Sequence, residues 1–327
     1  MASVFSGCEQ NETAKPRFKM GHVYEVRAPS HKYGASKIDE RLKESGCGLS
    51  VTVFPASQLG SEPELVEQLV AGELEMVIAG PSFLAMWHPP LGIFDAGFAF
   101  RDLDHMLEVA DSDVLAKHWE ILRQKFGVRL LDTWAYGSRH ITSNKPIHSM
   151  EDLAGFQLRF PPAKIWQLTG KAIGSSPVAI PFADVYMSLQ TGAVDGQENP
   201  IPVIDSMSFQ RVQKYLCMTG HIQSSTVVMV NERAWQRLSA DQQRALSSTI
   251  KQLGREVYQG LLQEEKEILD RWETEKEITV IRDIDLEQMR KSCFKYFSDG
   301  HPFSEIYRQT TAQYSKPDSK QKLVPND

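Results

Sequence analysis

Arg159 is the side chain whose type and setting best suit binding chemistry. In Phe156-Gln157-Leu158-Arg159-Phe160 the three apolar residues share one face of a strand, and Gln157 and Arg159 take the other. Arg159 therefore leaves the core side and faces either solvent or a cleft. Pro161-Pro162 follows and ends the strand. The guanidinium thus sits at a strand's C-terminal end, where open α/β sheets tend to place ligands. There it can hold a carboxylate by two parallel hydrogen bonds. On spacing alone, a solvated surface arginine is the favoured account. Arg139 is similar, following a strand Val128–Trp134 and the turn residue Gly137. Asn199, in Asp195-Gly196-Gln197-Glu198-Asn199-Pro200, reads as a turn asparagine. Trp134 and Tyr136, near the Arg139 turn, offer flat faces on which a ring-shaped ligand can stack; packing at a domain junction is the equal alternative.

Enzyme motifs are missing. The sequence has no nucleophile elbow, no Walker-type phosphate loop, no zinc-protease helix motif and no dinucleotide fingerprint between strand and helix. Gly46-Cys47-Gly48 precedes a strand, the wrong context for phosphate. The nine histidines are dispersed. His140 and His148 lie in a turn-like stretch, where a chance pair outweighs a metal site. No metal and no cofactor is expected. Of the four cysteines, Cys47, Cys217 and Cys293 read as unpaired structural residues. Cys8 follows Phe5-Ser6-Gly7 and precedes the polar run Glu9–Lys15, which resembles the end of a bacterial lipoprotein signal. Against this, Phe5 stands where leucine is usual, and no charged and apolar signal region precedes it. A lipidated Cys8 and a disordered tail are equal readings.

These residues must be positioned by the rest of a 327-residue chain, enough for two domains with separate cores. The net charge of -6, with Lys and Arg scattered rather than in a stripe, excludes nucleic acid as an expected partner. No segment has the roughly 18 consecutive apolar residues of a spanning helix. A first strand is expected at His22–Ala28, then a helix ending near Gly46 and a strand Leu49–Phe54 with alternating apolar residues. Ser61 caps the next helix, with Pro63 in its first turn and Glu64 completing a capping box; Leu65, Val66, Leu69 and Val70 form its apolar face, and Gly72 ends it. Met76–Ala79 is a short buried strand. This alternation predicts a mostly parallel sheet with helices on its faces. Further on we expect a short helix from Ser149 to Gly155, a strand Phe156–Phe160, a helix to Gly170 or Gly174, a helix Ala183–Gln190 and a strand Ser225–Val230.

The most regular feature is Ala240–Lys276. Ser239 and Gln242 form a capping box, and Leu246, Ile250, Leu253, Val257, Leu261, Ile268 and Trp272 follow mostly at helical steps with no proline. At 1.5 Å per residue the helix would be roughly 55 Å long, longer than a small domain is wide. It must cross both domains or project from one, unless Gly254 or Gly260 breaks it.

The segments Pro55-Ala56-Ser57-Gln58-Leu59-Gly60, Arg139-His140-Ile141-Thr142-Ser143-Asn144-Lys145-Pro146-Ile147, Leu158-Arg159-Phe160-Pro161 and Asp184–Pro200 resemble, in order and spacing, the substrate-binding proteins of the tripartite ATP-independent periplasmic (TRAP) transporters, the DctP-type family. The resemblance runs from about Tyr24 to Gly300, and Leu189–Asn199 is its most specific string. It implies an α/β, two-domain periplasmic-binding-protein fold, joined by crossing strands and one long helix spanning both domains. We expect domain I over residues 19–137 and 226–262, domain II over residues 138–225 and 263–318, and tails over residues 1–18 and 319–327.

By the same resemblance, Arg159 makes the salt bridge to a ligand carboxylate, Arg139 adds a second cationic contact, Asn199 touches the ligand from the second domain and Phe182 lines the pocket. His31, Gln58 and Gly80 are expected on the opposing lobe. The implied function is capture of a carboxylated organic anion by hinge closure and its delivery to TRAP membrane permease subunits. The implied setting is the periplasm, as a monomer, with Cys8 a candidate lipid anchor. The sialic-acid binders of this family carry an acidic residue on the loop after the strand that ends here at Ala79. This chain has Gly80-Pro81-Ser82 there, which weakens a sialic-acid assignment. A sugar acid such as a uronate is the first expectation, with C4-dicarboxylates, keto acids and sialic acid open. The rivals are a ligand-sensing domain, expected to be fused to a membrane segment, and an enzyme on the same fold, for which no acid/base or nucleophile set can be assembled.

Overall fold

The computed structural model describes residues 16–312, so Cys8 lies outside the described residues. Nine strands form one mixed sheet: β1 (Arg17–Gly21), β2 (Ser50–Phe54), β3 (Met76–Ala79), β4 (Val128–Ser143), β5 (Gln157–Phe160), β6 (Ser176–Ala179), β7 (Gly196–Pro200), β8 (Tyr215–Asn231) and β9 (Thr279–Ile281). The order is β2-β1-β3-β8-β4-β7-β5-β6, with β9 also on β8. β1 pairs in parallel with β2 and β3 at one end, and β5 with β6 and β7 at the other. These are the parallel units expected from alternating strands and helices.

Between them run the antiparallel β4 and β8, paired along nearly their whole length. β8 pairs with β3 near Val228 and with β9 near Leu216, so one strand serves both parallel units. The result is the two-domain α/β fold, its lobes joined by crossing strands.

The long helix is Ala240–Glu275, unbroken over 36 residues and started by the Ser239/Gln242 capping box. Its stripe changes partner along its length. Leu246, Ile250, Leu253, Val257 and Leu261 belong to the larger core. Ile268 and Trp272 belong to a second core with Val185, Leu189, Ile204 and Phe209. The helix therefore spans both lobes. Gly254 does not break it. A side chain there would sit 2.7 Å from the Trp134 ring, so the glycine lets the helix lie close on β4.

Several local expectations are corrected. The first strand is Arg17–Gly21 rather than His22–Ala28, because Phe18 and Met20 alternate into the core. The segment beyond it carries Tyr24 to the cleft. The predicted strands Val128–Trp134 and Ser225–Val230 are only parts of β4 and β8. Tertiary pairing overrides the turn signals between them. Gly137 is thus no turn, and Arg139 and Asn199 both lie within strands. The helix predicted from Ser149 shrinks to a 3₁₀ turn, Glu151–Leu153. Cys217 and Cys293 are buried free thiols, and Cys47 is a half-buried one.

Gly137 has φ 129°, beside a register shift between Ala135 and Gly137. A Cβ there would lie 2.6 Å from the Pro200 side chain. Gly137→Ala is expected to destabilise the fold by about 1–3 kcal/mol through backbone strain and this contact. A thermal midpoint equal to that of the wild type would show that the crossing strands tolerate the extra methyl.

Candidate ligand-binding site

The crossing strands bring distant segments to one cavity of about 30 Å³. Tyr24 enters from the loop after β1, Glu62 from the first turn of the helix Glu62–Ala71, and Gly80 from just beyond β3. The 3₁₀ turns Pro81–Met86 and Pro89–Asp95 add Phe83 and Asp95. From the other side come Tyr136 and Arg139 of β4, Arg159 of β5, Trp166 of the helix Lys164–Ala172, Phe182, and Asn199 of β7.

Arg159 is 1% exposed. Its Nε and Nη2 donate to the Ile180 carbonyl at 2.9 and 2.6 Å. Its Nη1 is buried without a partner. Burial pushes its pKa down to about 10, with Glu198 opposing and Arg139 assisting, so it is still a cation at neutral pH. The face read from the strand pattern is correct, and that face is a cleft rather than solvent.

Arg139 is differently placed. Its Nη2 donates to Glu198 Oε1 at 2.8 Å and to the Glu198 carbonyl at 2.7 Å, and its Nε donates to Oε2. Burial raises the Glu198 pKa, but Arg139 outweighs it, and the carboxyl stays below its ordinary range. His221 Nε2 stands 3.6 Å from the same carboxylate. The Arg139 guanidinium lies 4.6 Å from the Trp166 ring centre. Its charge is thus already partnered, whereas Arg159 keeps an unfilled donor.

Of the nine residues expected at the site, Arg159, Arg139, Asn199, Phe182, Tyr136 and Gly80 line the cavity together. Trp134, His31 and Gln58 do not. Trp134 is fully buried against the long helix, its Nε1 donating to the Ile250 carbonyl at 3.2 Å. Tyr136 would share its face in a regular strand. The register shift makes Tyr136 the extra residue between Ala135 and Gly137 and turns it to the cavity. His31 Nδ1 is 3.0 Å from His22 Nε2, and His22 stacks on Tyr24, so His31 stands one layer behind the wall. Gln58 is exposed. Asn199 Nδ2 donates to Gln197 Oε1 at 2.6 Å, which holds the Asn199 amide from its own strand.

Sequence reasoning missed Tyr24, Glu62, Asp95, Trp166 and Glu198. Glu62 matters most. Its Oε1 accepts from Tyr24 Oη at 3.0 Å and from the Gly80 N–H at 3.2 Å. Burial raises its pKa, while Gly80, Tyr24 and the two arginines favour its ionised form. Glu62 thus brings a carboxylate from a helix N-terminus to the loop Gly80-Pro81-Ser82, which has no acid of its own. Its only sequence signal was its place between the capping Ser61 and Pro63.

A second, larger cavity of about 460 Å³ lies against the far side of Phe83, among Met86, Ile165, Leu168 and Phe303. It has no buried charge, so the chemistry points to the smaller cavity.

The family of bacterial extracellular solute-binding proteins, family 7 (DctP), matches residues 20–299. The sialic acid-binding periplasmic protein SiaP of Vibrio cholerae is 34% identical over 80% of this chain and 82% of its own. The 2,3-diketo-L-gulonate-binding periplasmic protein YiaO of Escherichia coli is 31% identical over 78% of each chain. A TRAP periplasmic solute-binding protein of Roseobacter denitrificans, solved with bound L-galactonate, superposes with a TM-score of 0.84 at 30% identity, covering 92% of this chain and 99% of that one. Among the described residues no helix is long and apolar enough to cross a membrane. The family match over residues 20–299, the relative 34% identical over most of its length and the shared fold place this chain in the DctP family of TRAP-type solute-binding proteins.

Proposed function

We propose that this chain captures a monocarboxylated sugar acid at Arg159, closes its lobes around it and delivers it to the membrane permease of a TRAP transporter. The observation that carries this reading is the buried Arg159 guanidinium with its unfilled Nη1, in one cavity with the Glu62 carboxylate. A buried cation with a spare donor suits a carboxylate. A carboxylate acceptor nearby suits hydroxyls, and it would repel a second acid group, as in succinate. Phe182 and Trp166 offer flat area to the carbon skeleton. The bound L-galactonate of the Roseobacter relative and the sugar acid in the name of the E. coli relative support the same class. Uronates and aldonates are the first candidates. The acidic group at Gly80 that sialic-acid binding would want is supplied here by Glu62, so sialic acid belongs among the ligands tested.

The lobes we assign are residues 19–137 with 226–262, and residues 138–225 with 263–318. A cavity of about 30 Å³ holds only about two water molecules by the usual measure. A six-carbon acid therefore enters only if the lobes part. Ligand contacts to both lobes would then favour the closed form.

Glucuronate, galacturonate, L-galactonate, sialic acid and succinate, each added in a thermal-shift assay, test the class. A tight ligand adds about 4 kcal/mol at a thousand times its dissociation constant. Succinate binding about tenfold more tightly than every sugar acid, a gap of about 1.4 kcal/mol, would sink the sugar-acid reading. Small-angle scattering with the tightest of these acids is expected to give a smaller radius of gyration. Identical curves with and without it would count against closure.

A further inference from the structure

Asp95 is 1% exposed and ends the 3₁₀ turn Pro89–Asp95. Its Oδ2 accepts from the Ser82 hydroxyl, and its Oδ1 has no partner. Its backbone carbonyl accepts from Thr169 Oγ1 at 2.8 Å, which ties it to the helix Lys164–Ala172 across the cleft. Both Asp95 and Arg159 line the cavity.

The charges around it do not balance. Arg139 and Arg159 supply two positive charges. Glu62 and Asp95 line the cavity, and Glu198, held by Arg139 behind its wall, is the third acid. An anionic ligand adds a further negative charge to a closed, buried site, and an uncompensated buried charge is strongly disfavoured. Three acids and the ligand carry four negative charges against two positive ones, so the acid with the least support for its charge is the first to be neutralised in the complex. Glu62 has two donors that favour its ionised form, Tyr24 Oη and the Gly80 N–H. Glu198 has a guanidinium. Asp95 has one hydroxyl and no cation within salt-bridge reach among the described residues.

Resting on the reading that the cavity binds a carboxylate, we propose that Asp95 takes a proton from solvent as the site closes on the anion and enters the complex as a neutral acid, its Oδ1 side donating to the ligand. Asp95 thereby selects for a ligand with an acceptor at that point, and capture takes up part of a proton per anion near neutral pH, and never more than one. The groups facing it are Arg139, Arg159, Glu62, Glu198 with His221 behind it, and the phenols Tyr24 and Tyr136, whose pKa values burial raises. Burial in the closed cavity pushes the pKa of Asp95 up to about 7, against the pull of Ser82 and Arg139. The sign follows: binding that takes up a proton weakens as pH rises through that value.

The test follows the Asp95 carboxyl carbon by 13C NMR from about pH 5 to about pH 9, without ligand and with L-galactonate, using Asp95→Asn to assign the signal. The expected midpoint is about 7 or above with L-galactonate, and about one unit or more lower without it. Calorimetry is expected to show wild-type affinity falling by up to about tenfold per pH unit above neutrality, while Asp95→Asn, fixed as a neutral side chain, shows no such slope. A midpoint that bound L-galactonate leaves unmoved overturns the proposal, as does a midpoint still in the ordinary aspartate range with L-galactonate bound. If L-galactonate does not bind at all, the same titration with the tightest acid of the thermal-shift series decides whether Asp95 takes up the proton, separately from the sugar-acid reading.

Discussion

Arg159→Lys is expected to weaken sugar-acid binding by about 1.5–3 kcal/mol, the scale of a charged hydrogen bond. That is about ten- to a hundredfold in Kd. The reason lies in how the guanidinium is divided. Nε and Nη2 are both engaged by the Ile180 carbonyl, which fixes the plane of the group, and Nη1 is left over. A lysine ammonium keeps the charge but not the fork. It must either satisfy Ile180 or reach the ligand. Calorimetry with glucuronate and L-galactonate on wild type and variant reads the difference. Affinity within about twofold of wild type, under 0.5 kcal/mol, for an acid that the wild type binds would remove Arg159 as the anchor. An unchanged unfolding midpoint in the variant separates lost binding from lost folding.

Glu198→Gln is expected to destabilise the protein by about 3–5 kcal/mol, because it leaves the Arg139 guanidinium buried with no opposing charge. The Glu198 side chain is 0% exposed and takes both an Nε and an Nη2 bond from Arg139. The amide keeps the shape and loses the charge, so the effect reports electrostatics rather than packing. Since Arg139 holds the Glu198 pKa below its ordinary range despite burial, this contribution is present above the ordinary glutamate range. It is lost as pH falls through the lowered folded value. Chemical denaturation at neutral pH measures it. A loss below about 1 kcal/mol would mean that Arg139 finds water or another partner when Glu198 is neutral.

Arg139 and Glu198 also mark where the family motif needed the tertiary structure. Both lie in the quoted strings, and Arg139 was expected to meet a ligand directly. In the structure it lines the cavity and is at the same time paired with Glu198 of β7. Arg159 has no carboxylate on it and keeps Nη1 unpartnered.

The sequence alone determined the features that depend on neighbours within a turn or two. The capping boxes at Ser61 and Ser239 form as read, because a cap is satisfied by its own third residue. The long helix and its stripe followed from period and from the lack of proline. The face of Arg159 followed from alternation over four residues of β5. What the tertiary structure decided is where alternation fails and which distant segments meet. Trp134 and Tyr136 have a spacing that puts them on one face, and only the bulge opposite Ser224 and Ser225 sends one to the core and the other to the cleft. Glu62 and Asp95 carry no local sign of function, since each reads as part of a helix start or a turn. They come to line one cavity because β4 and β8 cross between two parallel units and bring together segments more than a hundred residues apart in sequence. Local hydrogen bonding writes caps and periods into the sequence. The meeting of buried charges is set by sheet order and register, which no short window contains.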